Sequence, residues 1–296
     1  MGRRVLSAVQ KQLAPGGVVA EAVAAVEQKP RLLYFRGTGK CYAVRMALFA
    51  AFGEDGWIDE RISQTGEPGS HPDGVSRGSG DGWRDLTVHR GALPELTLPD
   101  GSTMCQSMAI ARWAARMASE SGRAALYPSD ATAALRVDEV MTFQEEVRLP
   151  SVLACCHCLG YSSDCHCPAE QLSTFLAALS LINDVCLQVM EKAQPTPAPD
   201  DVKAFREAFR SQSGFLGKTA AFLERRLDEH SEGPFFAGEE MTIADLCATG
   251  LVKMILDGDF THIPPEWMRD NFPQLTAMAE ATDGSPLALA YYAAYN

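Results

Sequence analysis

The stretch "LPELTLPDGSTMCQSMAIARW", Leu93–Trp113, changes its hydrophobic period partway along and so decides how the rest of the chain is read. Its first half predicts two short strands, Glu95–Leu98 and Ser102–Cys105, joined at Pro99-Asp100-Gly101, where proline presets φ and glycine tolerates positive φ. Its second half predicts a helix over Ser107–Ala118, with Ser107 as the N-cap. A hairpin that runs straight into a helix needs other strands to complete a sheet. Upstream, "RLLYF" (Arg31–Phe35) reads as a short buried strand, and "RGTGK" (Arg36–Lys40) turns the chain. Cys41–Phe52 has helical spacing, with Val44, Leu48 and Ala51 on one side. Ile58–Ile62 reads as a further strand, and Gln64–Gly82, rich in Gly, Ser, Pro and Asp, as a surface loop.

The order strand, helix, strand, hairpin, helix is the βαβ-ββα pattern of an α/β thioredoxin-like domain, assigned to 31–120. From Leu126 onward the periodicity is helical. Ala131–Leu149, Ala169–Lys192, Asp200–Glu229 and Thr242–Leu256 are predicted helices, so 126–296 reads as an all-α domain. Three prolines in Gln194–Asp200 separate one helix from the next. Residues 1–30, around Pro15-Gly16-Gly17, read as an N-terminal extension.

Thirty-eight acidic against 26 basic residues give a formal charge of −12, which argues against nucleic acid as a main partner. No apolar run approaches the roughly 20 residues of a membrane span. The start of the chain lacks the long apolar core of a secretory signal. Cys41, Cys105, Cys186 and Cys247 stand singly in apolar or helical stretches, as small buried hydrophobes do. A reducing, cytoplasmic location is therefore expected. Arg3, Arg4 and Lys11, with no acid in the first twenty residues, leave a mitochondrial-targeting reading open.

A second conspicuous stretch is "ACCHCLGYSSDCHC", Ala154–Cys167. Cysteines and histidines at short spacing invite zinc, with Cys155, Cys156, Cys158, Cys165, Cys167, His157 and His166 as possible ligands. The spacing lacks the paired C-x2-C hooks of zinc fingers and knuckles. Three readings of this insertion stay open: a metal site, a redox or disulfide-forming loop, and a surface insertion with no dedicated role.

Three segments together resemble the cytosolic glutathione transferases, with most similarity to the sigma-like class that uses a tyrosine. They are "LLYFRGTGKCYAVR" (Leu32–Arg45), Leu93–Trp113 and "FFAGEEMTIADL" (Phe235–Leu246), in the family's order. The resemblance implies the glutathione transferase fold, a glutathione cosubstrate and a homodimer. It makes Tyr34 the catalytic residue, its phenol stabilising the glutathione thiolate. By itself, Tyr34 would read equally well as a strand aromatic. The resemblance places Phe35, Lys40, Trp83, Leu93, Pro94, Gln106 and Ser107 in the glutathione site. Pro94 corresponds to the family's cis-proline, which leaves the Leu93 backbone open to pair with the cysteinyl part of glutathione. Gln106-Ser107 corresponds to the pair that holds the γ-glutamyl end. Lys40 stands where the class has arginine, which keeps the charge and loses the bidentate fork; its alternative is an exposed lysine at a helix start. Trp83 matches the tryptophan at the glycyl end. The lysines usual nearby have no clear counterpart, and Arg84, His89 and Arg90 are the substitutes at hand.

Glu145-Glu146 falls where relatives carry an acidic pair, from which Glu146 would reach the partner's glutathione. A solvated acidic face is the alternative. Thr242–Asp245, "TIAD", is a capping box with Asp for the usual Glu, and carries stability rather than catalysis.

The function implied is conjugation of the glutathione thiolate to hydrophobic electrophiles. The acceptor pocket is expected from residues after Tyr34, the first long α-domain helix and the C-terminal "LALAYYAAYN". A glutathione-dependent isomerase or peroxidase of the prostaglandin-D-synthase type is the enzymatic alternative. A binding or structural protein on the same fold, as among lens crystallins, is the non-enzymatic one.

Overall fold

The computed structural model of the chain describes residues 29–37, 39–62, 87–88, 93–143, 199–229, 233–258, 260 and 262–295. Strand β1 (Arg31–Phe35) leads through a single 3₁₀ turn (Gly39–Cys41) into helix α1 (Tyr42–Phe52), then β2 (Ile58–Ile62). Strands β3 (Glu95–Thr97) and β4 (Thr103–Cys105) and helix α2 (Ser107–Glu120) follow. The sheet order is β2-β1-β3-β4. β2 runs parallel to β1, whereas β3 is antiparallel to β1 and β4 to β3. The hairpin turns where expected: Gly101 has φ of +85° and its N–H donates to the Leu98 carbonyl at 2.9 Å.

The rest of the described chain is helical: α3 (131–143), α4 (Pro199–Arg210), α5 (Phe215–Asp228), α6 (Ile243–Leu256), α7 (Pro265–Asn271), α8 (Pro273–Asp283) and α9 (Pro286–Tyr295). Asp200–Glu229 is thus two helices and not the one expected. At the break, the Ser211 hydroxyl donates to the Ala208 carbonyl at 2.7 Å and accepts the Gly214 N–H at 3.0 Å. This local side-chain bonding competes with helix continuation.

One apolar core joins sheet and helices. Leu32, Leu48, Leu96, Ile110, Ile243 and Ile255 are all buried in it. Helix α1 lies close against α6, where a Cβ on Gly250 would come within 3.1 Å of Tyr42 Cβ. A side chain there would push the helices apart. The Ile243 N–H also donates to the Leu126 carbonyl at 2.8 Å, tying the start of α6 to the segment after α2. Cys41 and Cys247 are buried and Cys105 is half-buried. Among the described residues, no helix is long and apolar enough to cross a membrane.

The start of α6 has the bonding that the "TIAD" sequence requires. The fully buried Asp245 carboxylate accepts the Thr242 N–H at 2.7 Å, the Thr242 hydroxyl at 2.9 Å and the Phe236 N–H at 2.9 Å. Burial dominates these bonds and pushes the carboxyl up to about 6. Because this exceeds the ordinary value of 3.8, the native state favours the proton. The protonation-linked contribution is full at pH below that ordinary value and is lost as pH rises through about 6. Relative to an Asp245→Asn variant, the wild type should therefore lose on the order of 3 kcal/mol across that window. Urea unfolding of both proteins at closely spaced pH values checks this. A pH-independent difference would contradict it.

Candidate glutathione site

The register of the sheet places the candidate residues. Leu33 pairs with Glu95, and Glu95 with Cys105, forming the last rung of the ladder. One step beyond that rung come Tyr34 on β1, Pro94 before β3 and Gln106 after β4. Three segments far apart in sequence thus meet at one end of the sheet. The Leu93–Pro94 peptide is cis, and Leu93 lies outside both ladders.

Gln106 has φ of +81°, a left-handed conformation uncommon outside glycine and held only where the surroundings require it. That geometry makes Gln106 the N-cap of α2 and Ser107 its first helical residue, so Ser107 is not the expected N-cap. Ser107 is buried and Gln106 is exposed. No side chain caps this helix end, which leaves its first N–H groups and the positive end of the helix dipole available to a carboxylate.

Tyr34 is 9% exposed. Its hydroxyl oxygen accepts the Lys40 backbone N–H at 3.2 Å, and its ring meets Phe35 edge-on at 5.4 Å between centroids. Gly39 makes the close approach possible. Its φ is +37°, and a Cβ there would sit 2.9 Å from the Tyr34 hydroxyl. A phenol oxygen that accepts an N–H becomes a better donor through its own hydrogen. Lys40 contributes its backbone here, and its side chain is half-buried.

Arg45 was not among the sequence candidates. It sits on α1 with 2% exposure. Its Nε donates to both Asp59 oxygens, at 3.0 and 3.2 Å. Nη1 donates to the Gly37 carbonyl and Nη2 to the Phe35 carbonyl, each at 2.8 Å. Its guanidinium carbon lies 5.7 Å from the centre of the Tyr34 ring. Burial is the largest influence and opposes this charge, yet the Asp59 carboxylate together with Cys41 and Tyr291 outweighs it and holds the guanidinium above its ordinary range. The signal was present in the sequence: a lone arginine inside "YAVRMALFAAF" faces a core and must find a partner there.

The hydroxyls of the tyrosines of "LALAYYAAYN" are hydrogen-bonded within the fold. Tyr291 accepts the Arg61 Nη2–H at 3.0 Å. Tyr292 donates to Asp283, which also takes hydrogen bonds from Tyr42 at 3.0 Å and Lys253 at 3.0 Å. Tyr295 donates to the Glu54 carbonyl at 2.9 Å. Helix α9 is thereby fastened to the strand-and-helix layer beneath it. Another cavity, of about 390 Å³, is lined by Leu135, Arg136, Glu139, Val140, Arg226, Glu229 and Phe236. It shares no residue with the sheet end.

Trp83, Arg84, His89, Arg90, the Glu145-Glu146 pair and the Cys155–Cys167 cluster, with Cys156, Cys158, Cys165, His157 and His166, lie outside the described residues, as does Cys186. Among the described residues, no three His, Cys, Asp or Glu side chains are grouped to hold a metal ion.

Residues 184–294 match the family described as glutathione S-transferase, C-terminal domain. No curated protein matches the chain by sequence. Solved structures do match. A monomeric glutathione S-transferase from the human hookworm parasite Necator americanus is 18% identical, with 90% of this chain and 98% of that one covered and a TM-score of 0.54. A prostaglandin synthase D of Nilaparvata lugens is 15% identical, with 90% and 98% covered and a TM-score of 0.55. A glutathione transferase homologue from Sulfitobacter, with bound glutathione, is 16% identical, with 90% and 97% covered and a TM-score of 0.52. On its sheet topology, its helical C-terminal half and these likenesses, the chain has the fold of the glutathione S-transferases.

Proposed function

We propose that the chain is a glutathione transferase of the sigma-like, tyrosine-dependent kind. The observation that carries this reading is the convergence of Tyr34, cis-Pro94 and Gln106-Ser107 on one end of the sheet. Glutathione would supply a thiol nucleophile, whose unperturbed pKa is ~8.5 by analogy with cysteine. Tyr34 donates its hydroxyl hydrogen to the sulfur and so favours the thiolate at neutral pH. The Lys40 N–H on the phenol oxygen polarises that donor. Leu93 offers its backbone N–H and C=O to the cysteinyl unit. The uncapped start of α2, at Gln106-Ser107, takes the γ-glutamyl carboxylate. Phe35, Lys40 and Trp83 complete the wall, and Glu146 reaches across a homodimer. The thiolate attacks an electrophilic carbon of an apolar acceptor.

The fit of the residues supports glutathione, and the Sulfitobacter homologue with bound glutathione gives the same direction. A glutathione-dependent isomerase is favoured as a second reading by the Nilaparvata prostaglandin synthase D, which shares the fold. It would use the same thiolate with a different acceptor. Retention on immobilised glutathione, followed by conjugation of a chlorodinitrobenzene acceptor with release of chloride, tests the first reading. Isomerisation of a prostaglandin endoperoxide without conjugating activity would select the second. No glutathione binding at millimolar concentration would remove both and leave a binding or structural protein.

A further inference from the structure

We propose that Tyr291 of the C-terminal helix is a positioning residue for Tyr34, acting through Arg61, Asp59 and Arg45. The proposal rests on the thiolate role assigned to Tyr34 above. Each link is a hydrogen bond or ion pair. Tyr291 Oη accepts Arg61 Nη2–H at 3.0 Å, and Arg61 Nε donates to Asp59 Oδ2 at 2.7 Å. Arg45 Nε meets the same oxygen at 3.0 Å. Arg45 then holds the Phe35 and Gly37 carbonyls, which frame the turn that brings the Lys40 N–H to the Tyr34 hydroxyl.

The two ends of this chain differ in how firmly they are held. The Arg45 and Asp59 side chains are 3% and 4% exposed, whereas that of Arg61 is 23% exposed. An arginine at that exposure has solvent to turn toward, and its side-chain entropy favours doing so. Helix α9 prevents it. The Tyr291 hydroxyl takes one arm of the guanidinium, and the Tyr295 ring lies 5.8 Å from its carbon. Asp59 Oδ2 is therefore fixed between two guanidiniums. Loss of one lets the carboxylate rotate and loosens the fork of the other on the loop carbonyls. A shared carboxylate makes the two arginines dependent on each other, as in other buried polar networks. Tyr291 is itself immobilised, edge-on to Phe49 at 5.7 Å and beside Tyr295 at 5.0 Å. Besides Asp59 and Arg61, titratable groups facing Arg45 include Cys41, Tyr291 and Tyr34. Burial pushes the Tyr291 phenol up to about 12, so it stays a neutral dipole through the neutral range.

The test is the ultraviolet titration of the glutathione thiolate bound to the full-length protein, with signal from the unliganded protein subtracted to remove the protein's own nine cysteines. Wild type is compared with Tyr291→Phe, Arg61→Met, Tyr295→Phe and Tyr34→Phe. Tyr291→Phe keeps the ring contacts and deletes only the acceptor for Arg61. It should raise the apparent pKa of the bound thiol by about half a unit to one unit, which is a ~3- to 10-fold lower ionisation constant. The dissociation constant for glutathione, measured at a pH low enough to keep the bound thiol protonated, should change by less than about twofold, because no glutathione-touching group is altered. Arg61→Met should match it, and decides alone if Tyr291→Phe does not fold. Tyr295→Phe, which keeps its ring and loses its hydroxyl bond to the Glu54 carbonyl, should leave the thiol unshifted. A thiol pKa equal to wild type in both Tyr291→Phe and Arg61→Met, with Tyr34→Phe raising it, would overturn the relay and leave the transferase reading standing. An equal shift in Tyr295→Phe would also overturn it, as general loosening of α9. If Tyr34→Phe causes no shift, the thiolate role itself fails, and the relay with it.

Discussion

Replacing Tyr34 by phenylalanine is expected to lower kcat/KM for conjugation by about 10- to 100-fold while the dissociation constant for the protonated thiol form of glutathione changes little. The hydroxyl deleted is a donor to an anionic sulfur, and such charge-assisted bonds contribute roughly 1.5–3 kcal/mol. At about 1.4 kcal/mol per decade of rate, that is a factor of ten to somewhat over a hundred. Binding survives because the carboxylate end of the peptide uses the start of α2 and the cysteinyl backbone uses Leu93, neither of which the mutation touches. The pH–rate profile of the variant should shift upward, toward the free thiol. At pH well above ~8.5, where free thiol ionises unaided, the two proteins should converge. Steady-state kinetics across that pH range is the measurement. A variant with unchanged kcat/KM at neutral pH would show that the phenol, despite its place at the sheet end, does not stabilise the sulfur.

Arg45→Met is expected to be the most destabilising single change near the site, at about 3–5 kcal/mol, the usual cost of stripping a buried charge of its partner. It would leave Asp59, whose side chain is 4% exposed, with Arg61, and would remove the guanidinium hydrogen bonds to the Phe35 and Gly37 carbonyls. A fall in Tm on the order of 10 °C corresponds to that loss. The double variant Arg45→Met/Asp59→Leu removes the abandoned charge and should regain part of the loss. It should not regain all of it, because the guanidinium bonds to the two carbonyls stay lost. Thermal and urea unfolding of the two single variants and the double variant gives the coupling directly. A double variant no more stable than the sum of its parts would show that the pair is not coupled.

Legibility in the sequence followed the range of the interaction involved. Strands β1 and β2, the hairpin and the starts of α1, α2 and α6 were readable because period, turn chemistry and capping act within a few residues. The proline-aspartate-glycine turn and the Thr242–Asp245 box needed no distant partner to be recognised. The break at Ser211–Gly214 is also local, yet it was missed. The apolar period continues across it on both sides, and only the Ser211 hydroxyl bonds show that the backbone stops. Tyr34, Pro94 and Gln106-Ser107 were found through their motifs. The positive φ of Gln106, which moves the N-cap back by one residue from Ser107, has no signature in the residue type.

The sequence by itself determined the order of elements along the first domain, the strand-rich first part and helical second part, and the motif residues that the sheet later brings together. Each of these follows from side-chain patterning along a continuous segment. Tertiary structure alone decided what those residues do to one another. Lys40 turned out to meet Tyr34 through its backbone N–H. Arg45 turned out to bind β2 and the β1–α1 loop at once. The C-terminal tyrosines turned out to be fastened to Arg61, Asp283 and Glu54. The physical reason is that a buried charge or hydroxyl must find a partner wherever the fold brings one. Tyr291 meets Arg61 across 230 positions of chain, a separation over which no local pattern carries information.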